Sequence, residues 1–101
     1  MTPALGLARA LGIRVSFADL GDWGSAQLRS EYDARHRVIR INARVVEGLE
    51  VCNRDEFVAL AIGHELYHFY EHAGEIAVLP ERKQREMAAD SYARELLGRG
   101  S

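Results

Sequence analysis

The segment His64-Glu65-Leu66-Tyr67-His68 places two imidazoles four residues apart, with a carboxylate next to the first. On a helix, residues four apart project from adjacent turns on the same side. Two imidazoles so placed can bind one divalent ion at nitrogen–metal distances of about 2.0–2.1 Å. Glu65 points to one side of the pair, where it reaches a water on the metal without being a ligand. This is the chemical content of His-Glu-x-x-His: two ligands and a general base. His72 continues the spacing, but eight helical residues rise about 12 Å. One ion cannot be about 2 Å from imidazoles at both ends of that span. A metzincin-type site is excluded as well, because Glu71 and Gly74 stand where that pattern needs glycine and histidine. The third ligand has to come from elsewhere in the chain.

The candidate is Glu86, in "EMAAD", with Asp90 four residues on and on the same helical face. Ala88, Ala89 and Ala93 flank the pair and allow this helix to approach the first closely. A carboxylate facing two histidines makes three protein ligands and leaves a position open for water, which is a catalytic and not a structural arrangement. Asp90 can accept the free ring N–H of a ligand histidine and fix its tautomer. The alternative for Glu86 and Asp90 is solvation and pairing with Arg82, Arg85 or Arg94.

These residues need two helices. Asn53 with Glu56 three residues later has capping-box spacing, and Ala73-Gly74 supplies a stop, so the spacing predicts a motif helix over 54–72 with Phe57, Leu60, Ala61 and His64 along one face. A last helix is expected from near Pro80 to Gly98. Upstream, Thr2-Pro3 reads as a cap and first helical residue, and Gly12 ends that helix. Ile13, Val15 and Phe17 alternate as in a short strand. Residues 26–32 and 37–42 alternate too, with "DARH" between them, which predicts a hairpin. The expected fold is α+β: an N-terminal helix, a three-stranded sheet with a hairpin, the motif helix and a C-terminal helix, in one domain spanning 1–101.

With these features the chain resembles the gluzincin metallopeptidases, and more narrowly the ImmA/IrrE-type zincin-like domain. The resemblance is carried by "INARV" ahead of the motif helix, "FVALAIGHELYHFYEH" as that helix, and "EMAADSYARELL" as the last. It covers residues 38–97 well and 1–37 in outline. It implies a zinc ion held by His64, His68 and Glu86, Glu65 as general base, Asp90 behind a ligand histidine, and cleavage of a peptide bond in a protein substrate. Gluzincins present a sheet edge above the zinc. One strand of a three-stranded sheet is expected to be such an edge, so residues 25–33 are expected to pair with an extended peptide, with Leu28, Ser30 and Tyr32 as substrate-binding residues. Tyr67, Tyr70, Tyr32, His36 and Tyr92 are all candidates to stabilise an oxyanion.

Composition sets the outer limits. The net charge of −2 and scattered arginines give no basic footprint for nucleic acid or an anionic membrane. Apolar residues make up 48%, yet no run reaches the roughly 18–20 residues of a membrane span. The N-terminus lacks a basic segment before an apolar one, so a signal peptide is not expected and a cytoplasmic location is. The single cysteine, Cys52, excludes an internal disulfide and multi-cysteine zinc sites. Two other functions compete with the peptidase. One is a zincin-fold binding module without turnover, against which an intact Glu65 argues. The other is a cysteine hydrolase using Cys52.

Overall fold

The computed structural model describes residues 3–21 and 29–99. Among the described residues four helices and three strands follow in the order α1 (Pro3–Ala10), β1 (Arg14–Ala18), β2 (Ser30–Asp33), β3 (Val38–Asn42), α2 (Ala43–Gly48), α3 (Val51–Ala73) and α4 (Arg82–Arg99). This is an α+β fold built on a three-stranded mixed sheet, with strand order β1-β3-β2. β3 is central. It runs parallel to β1, from Arg14↔Val38 to Ala18↔Asn42, and antiparallel to β2, from Ser30↔Ile41 to Asp33↔Val38.

Side chains alternate along a strand, so Ile39 and Ile41 share one face of β3 and both are fully buried. Their cross-strand partners, Tyr32 and Ser30, lie on the same face. That face packs on α1 and α3 around Ala4, Ala8, Ile62 and Leu66, with Leu96 of α4 completing the core. Burying side chains such as Ile62 or Leu66 contributes roughly 1.5–3 kcal/mol each. α1 ends in a Schellman motif at Gly12 (φ 73°), where Ile13 N–H reaches Ala8 O and Gly12 N–H reaches Arg9 O. This turns the chain straight into β1. The tip of the hairpin is held by Asp33, whose carboxylate accepts from the His36 backbone N–H and from Arg40 and lies 2.8 Å from the His36 ring.

Several boundaries differ from the sequence expectation. The expected cap Asn53 lies inside α3. The helix begins at Val51, and the Asn53 N–H already donates to Glu50 O. Leu49 and Glu50 are extended and the helix starts directly after them, while Arg54 reaches back to Leu49 O and Glu47 O, tying the two helices together. α2 was not expected at all. Asn42 caps it by accepting from Arg44 N–H, and the same buried side chain binds Leu20 N–H and Gly21 O. The strand expected over 26–32 is described from Ser30, and Thr2 and residues 26–28 lie outside the described residues. α4 starts at Arg82, with Glu81 O accepting its first-turn bond from Arg85, and it runs past Gly98 to Arg99. Phe17, read as part of an alternating strand, is 56% exposed. Among the described residues no helix is long and apolar enough to cross a membrane.

Candidate metal centre

α3 carries His64, Glu65 and His68 on the side that faces β2 and α4. α4 supplies Glu86 and Asp90. The two helices come together at Gly63, where a Cβ would stand 2.8 Å from Ala93 Cα and 3.0 Å from Ala93 Cβ. Only a glycine opposite a small residue permits that approach, and it brings the α4 carboxylates onto the α3 imidazoles. Past the site, α3 ends in a second Schellman motif: Gly74 (φ 78°) donates to Glu71 O, and Glu75 N–H to Tyr70 O.

The Nε2 atoms of His64 and His68 are 3.2 Å apart. Glu86 Oε2 lies 2.8 Å from His64 Nε2, and Glu86 Oε1 lies 3.4 Å from His68 Nε2. Four ligands at about 2.05 Å on a tetrahedral ion are about 3.3 Å from one another, so the three groups already stand near the spacing that a zinc ion requires. The protonation pattern fits as well. His64 Nδ1 is 2.7 Å from Asp90 Oδ1 and His68 Nδ1 is 2.6 Å from Glu71 Oε1. A proton on each Nδ1, donated to its carboxylate, would leave both Nε2 atoms as lone-pair donors beside the Glu86 carboxylate. Three such acceptors at one point could share a cation, either a metal ion or a proton on an imidazole. Among the described residues, His64, His68 and Glu86 are the group whose geometry could hold one.

Glu65 is separate from this group. It is 5% exposed, and its Oε2 accepts a 2.6 Å hydrogen bond from the Ser30 hydroxyl of β2. Ser30 faces α3 because it shares a sheet face with Ile41. Burial pushes the Glu65 carboxyl above its ordinary pKa. The Ser30 hydroxyl and the two imidazoles pull it back, while the charge of Glu86 raises it further. A carboxylate with a raised pKa is more basic than an ordinary one and so a better proton acceptor.

A cleft of about 660 Å³ opens over these residues. β2 forms one wall, α4 the other, and Phe57, Leu60 and Ala61 extend the floor along α3. Of the candidate oxyanion stabilisers only Tyr32 lines the cleft, with its ring edge-on to Phe69. Tyr70 and Tyr92 pack against each other, Tyr67 lies between His68 and Tyr92, and His36 sits in the hairpin turn on Asp33. Of the expected substrate-binding residues, Ser30 and Tyr32 line the cleft and Leu28 lies outside the described residues. The Ser30 hydroxyl is already engaged by Glu65. His72 is exposed in the last turn of α3, away from the cluster. Cys52 is exposed near the start of α3, about 18 Å by helical rise from His64.

Glu71 is the residue that the sequence reading missed. Its side chain is only 9% exposed, and its second oxygen is buried without a hydrogen-bond partner among the described residues. The available signal was its position three residues after His68, a spacing that lets helical side chains meet. No family model matches this chain, and neither a curated protein nor a solved structure compared with it does.

Proposed function

We propose that this chain is a zinc-dependent metallopeptidase of gluzincin type, hydrolysing a peptide bond in a protein or peptide substrate. The observation that carries the reading is the convergence of His64 Nε2, His68 Nε2 and Glu86 beside a buried, raised-pKa carboxylate on the floor of an open cleft. A His₂Glu donor set suits zinc. Zinc bound there would polarise a carbonyl and make a water acidic near neutral pH. Glu65 takes the proton of the attacking water and returns it to the departing amine. Ser30 holds Oε2 of Glu65 and leaves Oε1 for that transfer. Asp90 and Glu71 keep both imidazole protons on Nδ1.

β2 supports a peptide as the substrate. Asn42 N–H donates to Arg29 O, so Arg29, Glu31 and Asp33 direct their backbone groups toward β3. Antiparallel pairing alternates, and the N–H and C=O groups of Ser30 and Tyr32 therefore point outward from the sheet edge, at residues that line the cleft. An extended chain can pair there.

The test is Glu65→Gln. Glutamine keeps the shape of the side chain, so metal content and fold are retained. An amide cannot take the proton, so peptide hydrolysis is lost. Hydrolysis at the wild-type rate in this variant would remove Glu65 from the chemistry, and a wild-type protein that binds no zinc would remove the metal.

A further inference from the structure

The cleft is cationic at one end. α4 presents Arg82, Glu86, Asp90 and Arg94 at four-residue intervals, and all four line the cleft. The two carboxylates in the middle face His64 and His68, and neither makes an ion pair with a flanking guanidinium among the described residues. Arg29, beside Ser30 on β2, lines the same cleft. All three arginines are exposed, and none of their guanidiniums makes an ion pair or hydrogen bond among the described residues. Arg85, also on α4, is by contrast committed to Leu79 O.

Two of the three arginines lie toward the same end of the cleft. Ser30 touches Glu65 and Tyr32 touches Phe69, so β2 advances in the same direction as α3. Arg29 therefore lies on the N-terminal side of Glu65 along α3. Ala93 packs on Gly63 while Glu86 reaches His64 and His68, so α4 advances in the opposite direction. Arg94 consequently lies on that same side, and Arg82 on the other. Between Arg29 and Arg94 the floor is Phe57, Leu60 and Ala61.

We infer that this end of the cleft is a subsite for a carboxylate of the bound peptide, gripped by Arg29 from the sheet and Arg94 from α4, with its aliphatic stem on Phe57 and Leu60. The inference rests on the peptidase reading for the identity of the ligand as a peptide. An isolated surface arginine is ordinarily a solvated residue. Here two come from different elements, flank an apolar floor and have no guanidinium partner among the described residues. A guanidinium fork matches a carboxylate better than any other side chain does. The carboxylate belongs either to an aspartate or glutamate flanking the scissile bond or to the peptide's C-terminus.

Binding separates these cases without turnover. Three pools of fluorescein-labelled octapeptides are titrated by anisotropy against the Glu65→Gln protein, with and without zinc. The first carries Glu at the varied positions and a C-terminal amide, the second Gln and an amide, the third Gln and a free C-terminus. A first pool binding about tenfold or more tighter than the second supports a side-chain carboxylate, and a third pool doing so supports a terminal one. In either case Arg29→Ala and Arg94→Ala must each remove most of the preference, with zinc content and circular dichroism unchanged. A preference that survives both substitutions means that the carboxylate goes to the metal, and overturns the subsite. Equal binding of the three pools, or binding of none, overturns it too. The peptidase reading fails separately. If the carboxylate preference is present but wild-type protein loaded with zinc cleaves none of the pools, the subsite stands and the activity does not.

Discussion

Gly63 and Ala93 form a close crossing between α3 and α4: a Cβ on Gly63 would stand 2.8 Å from Ala93 Cα. The contact is one residue before His64 and three after Asp90, so it sets the distance between the imidazoles and the carboxylates. Gly63→Ala gains roughly 1 kcal/mol of helix propensity, but it pushes against backbone, and overpacking costs roughly 1–3 kcal/mol. The expected outcome is a net loss of stability in chemical denaturation together with weaker zinc binding, because α4 moves away as a unit. Unchanged zinc affinity in a competition assay against a chelator would show that the crossing does not set the site.

The proposed ligand set predicts which substitutions empty the site. His64→Ala, His68→Ala and Glu86→Ala each lower bound zinc to well below one per chain in elemental analysis. His72→Ala does not, since His72 lies in the exposed last turn. Zinc that follows His72 and ignores Glu86 would refute the assignment.

Glu71 and Asp90 should act alike. Each holds one Nδ1 proton, and losing such a partner weakens metal binding by roughly 10–100-fold. Glu71→Gln and Asp90→Asn are therefore expected to retain the fold and to release zinc to a chelator at correspondingly lower chelator concentrations. A Glu71→Gln protein with wild-type zinc affinity would reduce that carboxylate to a packing role.

The outward backbone of β2 predicts a pattern in amide exchange. In the free protein Glu31 and Asp33, paired with β3, exchange slowly, and Ser30 and Tyr32 exchange fast. Binding of a peptide should slow Ser30 and Tyr32 and leave the other two unchanged, which NMR reads residue by residue. Protection appearing anywhere but β2 would place the peptide elsewhere.

Asp33 gives a pH signature away from the metal. The hydrogen bonds from the His36 side chain and backbone, and then Arg40, hold its carboxyl well below the usual range. Its unfolded pKa is about 3.9, so the unfolded chain binds more protons below that value. The contribution to stability is present above about pH 5 and declines as pH falls toward the folded pKa. Asp33→Asn should be less stable than wild type at pH 6, with the gap narrowing at pH 3. A gap of the same size at both pH values would mean that ionisation of Asp33 contributes nothing.

The sequence by itself determined the local features. The His64–His68 and Glu86–Asp90 spacings are set by helical periodicity, and so is the exclusion of His72, because a rise of about 12 Å follows from chain geometry alone. The stops at Gly12 and Gly74 were legible for the same reason: both sit in the left-handed region, where glycine is at home. What depends on contacts between distant segments was not legible. α2 is capped by Asn42, which also binds Leu20 and Gly21, more than twenty residues away. The pairing of Ser30 with Glu65 depends on β2 register against Ile41. Tertiary structure also set which neighbours Glu86 and Asp90 contact. Neighbouring arginines are available to both, but the Gly63–Ala93 crossing brings the imidazoles closer. The carboxylates turn to the histidines, and Arg94 is left facing the cleft.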